Sequence, residues 1–144
     1  MNLLHGVYLT KALLPQMLKR DKRSALIITS SFLAQKPTPG LVSYSSTKAA
    51  VTFFAEALSY EVDDKIDVMG WDCGSVVTKA NCFQEGGINM SPKQAVDGCF
   101  RDIGYERKTW GALGTEINGF VIKRLPISIF KKAMLPMADN IYLK

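Results

Sequence analysis

The chain is poor in the residues that build metal centres and disulfide frameworks. It has three cysteines, Cys73, Cys82 and Cys99, an odd number with no CxxC spacing. That excludes a zinc ribbon or a disulfide scaffold and leaves buried, reduced thiols as the expectation. His5 is the one histidine, and no cysteine or carboxylate stands at metal-ligand spacing from it. It is therefore expected on a helix surface, and no metal is expected. No apolar run approaches the ~20 residues of a membrane-spanning helix. Met1 leads straight into Asn2-Leu3-Leu4-His5 without the pattern of a signal peptide. There is no internal repeat and no low-complexity tract.

The 144 residues suffice for one domain with a sizeable core, and 47% hydrophobic with 22% charged residues is an ordinary globular balance. The formal charge of +5 points to an anionic partner, a phosphate-bearing ligand or an anionic membrane surface. The basic residues are scattered rather than run together, so nucleic acid is not expected.

Periodicity predicts a helix over Asn2–Lys19, with Pro15 bending or interrupting it. Ala25-Leu26-Ile27-Ile28-Thr29 is a short continuous apolar run, as in a strand buried on both faces of a parallel sheet. It ends in Ser30-Ser31. A loop marked by Pro37, Pro39 and Gly40 follows. Ser43–Val62 reads as a helix whose apolar stripe is Ala49, Ala50, Phe53, Phe54, Ala57 and Leu58. The two phenylalanines and Leu58 are expected in the core. Ile66–Trp71 is a second strand, and Cys73–Gly87 a loop. Ser91-Pro92 opens another helix, with Ser91 as N-cap. Trp110–Lys144 reads as helical and basic, broken at Pro126 and Pro136. Helix alternating with strand means an α/β layered fold with a parallel sheet. Two strands make too small a sheet to stand alone, so the chain is expected to be part of a larger α/β unit.

Tyr44 and Lys48 are four residues apart at the start of a predicted helix, hence on one face one turn apart. Ser31 stands thirteen residues before Tyr44, at the C-terminal end of a strand. In open parallel sheets ligands bind at that edge. A free tyrosine, with a pKa near ~10, is a poor acid–base group at neutral pH. A nearby ammonium favours the phenolate, so the phenol can exchange a proton with a carbonyl or an alcohol. A serine hydroxyl beside it can hydrogen-bond the same oxygen. The three together can manage the oxygen of a C=O/CH–OH pair while a cofactor moves the hydride.

Ile27-Ile28-Thr29-Ser30-Ser31 followed by Tyr44-Ser45-Ser46-Thr47-Lys48-Ala49-Ala50 resembles the active-site block of short-chain dehydrogenases/reductases. The resemblance implies that Ser31 orients the carbonyl and that Tyr44 is the general acid/base. Lys48 would hold the nicotinamide ribose, and Asn2 would support a proton-relay water. Cys73-Gly74-Ser75-Val76-Val77-Thr78 resembles the family's Pro-Gly-x-Val-x-Thr loop, with Cys73 in place of the proline. Gly74, Val76 and Thr78 would then line the nicotinamide. Further segments resemble the branch of very-long-chain 3-oxoacyl-CoA reductases and 17β-hydroxysteroid dehydrogenases. They are Val76-x-Thr78-Lys79, Ser91-Pro92-Lys93-Gln94-Ala95-Val96, Asn118-Gly119-Phe120 and Ile141-Tyr142-Leu143-Lys144.

The resemblance implies an α/β fold that is the C-terminal part of a Rossmann-like doubly wound parallel sheet. Residues 1–90 would form the catalytic core portion and 91–144 a helical, substrate- and membrane-proximal segment. It further implies NADPH as cofactor, an acyl-CoA or steroid substrate, and association with the endoplasmic reticulum membrane. A homodimer through the helices holding Asn2 and Tyr44 is implied as well. The family's glycine-rich TGxxxGxG turn is not among these residues. Gly86-Gly87 and Gly111-x-x-Gly114 neither follow a strand nor open a helix in the required way. A non-catalytic fragment is therefore a second expectation. A membrane-peripheral module is a third, because Lys123–Lys132 interleaves basic and bulky apolar residues.

Overall fold

The computed structural model describes residues 3–79, 82, 86 and 89–142. Asn2 lies outside the described residues. Helix α1 spans Leu4–Leu18 and runs unbroken through Pro15, so the expected interruption does not occur. Pro15 lies on the exposed side of α1, where water can take the carbonyl that the missing N–H leaves unpaired. Strand β1 spans Ser24–Thr29 and β2 spans Ile66–Trp71. They pair in parallel from Ser24 opposite Ile66 to Thr29 opposite Trp71. A third strand, β3, covers only Lys108–Thr109 and pairs in parallel with Gly70 and Trp71. Two residues are too few to leave a periodic signal, so the sequence reading placed none there. The sheet order is β1-β2-β3.

Helix α2, Val42–Glu61, crosses from β1 to β2. Its buried face carries Ser45, Val51, Thr52, Ala55, Leu58 and Ser59. Leu58, Val62, Ile66 and Val68 form the core, with Leu14, Met17, Leu26, Ile28 and Phe54 packed against them. Phe53 is 76% exposed, which corrects its expected place in the core. The buried stripe follows the i, i+4, i+7 positions Val51, Ala55 and Leu58. Phe53 falls outside it, and the outward stripe instead joins it to Tyr60, seven residues on.

Helix α3, Pro92–Asp102, begins as expected with Ser91 as its cap. The Gln94 N–H donates to Ser91 Oγ (3.2 Å) and the Ser91 N–H to Gln94 Oε1 (2.9 Å), a complete capping box. Helix α4, Leu113–Arg124, ends before Pro126 as expected. Trp110 precedes α4 instead of opening it. Helix α5, Ile127–Tyr142, contains Pro136, so the second expected break is absent. Lys36, from the loop before α2, donates to the Leu125 carbonyl and stands 6.0 Å from the centre of the Phe130 ring. That contact ties α4 and α5 to the mouth of α2.

Candidate active site

The site grows from the register of β1 and β2. Past the end of β1 the Ser30 N–H donates to the Trp71 carbonyl (2.7 Å) and the Phe32 N–H to the Cys73 carbonyl (2.9 Å). Ser31 lies between these two bonds. It is 8% exposed, and its Oγ accepts from the Leu33 N–H (3.2 Å), capping a short 3-10 turn, Phe32–Gln35. That bond uses the oxygen as acceptor and leaves the hydroxyl proton for another partner.

Tyr44 sits in the first turn of α2 and is 36% exposed. The Lys48 ammonium stands 5.9 Å from the centre of the Tyr44 ring. It also donates to the Thr29 carbonyl at the end of β1 (3.2 Å). One cation therefore links the tyrosine to the strand end two residues before Ser31. Among the described residues no hydrogen bond joins the Ser31 hydroxyl to the Tyr44 phenol.

The segment Cys73–Thr78 leaves the end of β2. A Cβ on Gly74 would stand 2.8 Å from Thr115 Cγ2 on α4 and 2.9 Å from Met90 Cε, so any larger residue there would have to displace these side chains. Val76 bridges Met90 in parallel. The Val77 N–H donates to the Met90 carbonyl (2.9 Å), and the Thr78 hydroxyl to the Val76 carbonyl (3.3 Å). Burial pushes the Cys73 thiol up to about 11, neighbouring Cys99 adds to this, and Lys48 opposes it. Cys73 is thus a neutral thiol at the position where the resembled motif carries proline. Cys99 is buried but Cys82 is exposed, which corrects the expectation that all three thiols are hidden.

The sequence reading missed a polar cluster beneath these residues. Asp72 directly follows β2 and is fully buried. Its carboxylate accepts from Thr52 on α2 and Gln35 at the end of the 3-10 turn, and pairs with Lys108 on β3 (3.1 Å). Burial raises its pKa above the ordinary carboxylate value, against the opposing effects of Thr52, Lys108 and Ser30. The available signal was an acid placed at the very end of an apolar strand.

His5 lies on the exposed surface of α1, as expected. Among the described residues no cluster could hold a metal, and no helix is long and apolar enough to cross a membrane. In the basic segment Ile127 and Ile129 are exposed, whereas Phe130 is 6% exposed and packs inward.

The family model described as short chain dehydrogenase matches residues 1–85. The human very-long-chain 3-oxoacyl-CoA reductase is 30% identical over 138 residues, covering 94% of this chain and 44% of that protein. The Bos taurus very-long-chain 3-oxoacyl-CoA reductase is 32% identical over 148 residues, covering 99% of this chain and 47% of that protein. The chain thus spans less than half the length of these curated relatives. A solved 7β-hydroxysteroid dehydrogenase shares the fold with a TM-score of 0.71 at 20% identity, over 89% of this chain and 52% of that one.

Proposed function

Because the chain belongs to the short-chain dehydrogenase family, we propose that Ser31, Tyr44 and Lys48 form the proton-handling site of an NADPH-dependent carbonyl reductase acting on a 3-oxoacyl-CoA or ketosteroid. The observation that carries the reading is the Lys48 ammonium, 5.9 Å from the Tyr44 ring and 3.2 Å from the Thr29 carbonyl. It concentrates positive charge between a solvent-accessible phenol and the strand end that leads into Ser31.

The residues fit the nicotinamide–ribose end of the cofactor. A lysine ammonium and an accessible tyrosine stand at the C-terminal edge of parallel strands, where such sheets take their nucleotides. Lys48 would hold the ribose, and Gly74, Val76 and Thr78 would flank the nicotinamide. The cofactor supplies the hydride. Tyr44 delivers its phenolic proton to the carbonyl oxygen, leaving an alcohol, and takes a proton back in the reverse direction. Lys48 stabilises the phenolate left behind. Ser31 donates its free hydroxyl proton to the same carbonyl oxygen and fixes its direction. Asn2 is proposed to support the water that reprotonates the site.

The same reading gives residues 1–90 the chemistry and 91–144 the substrate side. It places a second copy against the outward faces of α1 and α2, where Tyr8, Leu9, Phe53 and Tyr60 are exposed. It also sets the protein at the endoplasmic reticulum membrane, with the exposed Ile127 and Ile129 and the basic residues around them nearest the lipid. The test is cofactor oxidation with NADPH or NADH, offered a long-chain 3-oxoacyl-CoA or a ketosteroid. Oxidation that depends on the carbonyl compound and prefers NADPH is expected. Equal rates with and without it would refute carbonyl reduction.

A further inference from the structure

Asp72 carries a charge into full burial. A buried ion costs several kcal/mol of lost hydration, and an apolar side chain of similar size would fill the space without that cost. The sheet does not need it, because the Asp72 backbone N–H already donates to the Thr109 carbonyl (2.9 Å) and secures β2 to β3. The side chain turns the other way. One carboxylate oxygen takes Gln35 and Lys108, the other takes the Thr52 hydroxyl.

Two of these three partners, Gln35 and Thr52, stand one step from the proposed machinery. Gln35 closes the 3-10 turn that Ser31 caps. Thr52 is one helical turn beyond Lys48, and its Oγ lies 3.2 Å from the Lys48 carbonyl and 2.7 Å from Ser30 Oγ. With the Thr52 proton given to Asp72, the single Ser30 proton can go to Thr52 Oγ or to the Lys48 carbonyl, which lies 2.8 Å from Ser30 Oγ. Ser30 is the residue before Ser31.

We propose that Asp72 is a positioning residue that locks the turn carrying Ser31 to the turn of α2 carrying Lys48, through Gln35 on one oxygen and Thr52 with Ser30 on the other. Its importance for turnover rests on the function proposed above; the coupling itself does not. Lys108 is the counter-charge that lets the carboxylate stay ionised while it accepts both bonds.

The test uses the full chain labelled with 15N and with 13C,15N-lysine, assigning the Lys48 side chain by its loss in Lys48→Arg. Asp72→Asn, Thr52→Val and Gln35→Met are compared with the wild type. Thr52→Val keeps the buried ion pair, so it remains informative if Asp72→Asn fails to fold. Asp72→Asn and Thr52→Val are expected to shift the Lys48 side-chain signals and the Leu33 and Ala34 amides. Gln35→Met is expected to shift the two amides more than Lys48. The amides of the Ser91–Gln94 cap should stay in place in every folded variant. Turnover in Thr52→Val is expected to fall about ten-fold with KM changed by less than about two-fold, as misplacement of reacting groups requires. Lys48 and Leu33 signals at their wild-type positions in folded Thr52→Val would overturn the proposal, as would a wild-type kcat. A wild-type protein that turns over no carbonyl compound would instead sink the proposed function, and the resonances would then decide the coupling alone.

Discussion

Burial lifts the Asp72 carboxyl above its ordinary value, while Asp102, also buried in the sheet-facing end of α3, is held below it. Burial pushes Asp102 upward too, but the Arg101 fork and the Thr109 hydroxyl outweigh it. The signs of their linkage to folding are opposite. For Asp72 the folded state keeps its proton to higher pH than the unfolded chain, so wild-type stability declines as pH rises above ~3.8 through the folded value. The neutral amide of the Asp72→Asn variant does not titrate and carries no such loss. The melting temperature of Asp72→Asn minus that of wild type should become more positive as pH rises from below ~3.8 towards neutral. For Asp102 the stability is present above ~3.8 and is lost as pH falls through the lower folded value. Asp102→Asn should therefore destabilise most near neutral pH and least in acid. Thermal melts across that range check both slopes. The thiols make a separate prediction. With burial holding Cys73 at about 11 and Cys82 exposed, one equivalent of an alkylating reagent near neutral pH should label Cys82 first. Peptide mapping with Cys73 labelled first would contradict this.

Glycines divide the helices into positions with room and positions without. A Cβ on Gly6 in α1 would meet nothing within 4 Å. Gly6→Ala should therefore gain roughly 0.5–1 kcal/mol from helix propensity alone. A Cβ on Gly98 in α3 would lie 2.1 Å from the Gly111 carbonyl oxygen, a backbone atom that a side-chain rotation cannot move. Gly98→Ala should cost about 1–3 kcal/mol or more despite the same propensity gain. Denaturant unfolding of the two variants should move in opposite directions. The elements whose order is local were readable in the sequence. The apolar run of β1, the same bounds for β2 and the Ser91 cap of α3 each depend on neighbours within a few residues. Elements decided by distant partners were not. Strand β3 exists because Gly70 and Trp71 have a free edge. Phe53 points outward because the core lies along Val51, Ala55 and Leu58. Pro136 stays inside α5 although its local signal is a break. The site divides the same way. The placement of Ser31 just past a strand end and of Tyr44 and Lys48 in the first turns of a helix was legible, because strand end and helix start are local signals. Asp72, Gln35 and Thr52 were not, because nothing local says that residues 20 and 37 positions apart share one carboxylate.

At the scale of the molecule, three parallel strands order everything near the site. The C-terminal ends of β1 and β2 are held in register at Thr29 and Trp71. The proposed chemistry sits just past that line, with α2 feeding Tyr44 and Lys48 over it. On the far side of the chain α4 closes against Gly74, and Lys36 holds the α4–α5 junction. The account stands or falls on whether the Tyr44 phenol handles the proton. The direct measurement is kcat for carbonyl reduction in wild type and in Tyr44→Phe, which removes one oxygen and leaves the ring beside Lys48. Loss of a general acid predicts a fall of about 10²–10⁴-fold with substrate KM little changed. Wild-type kcat in the phenylalanine variant would contradict the account.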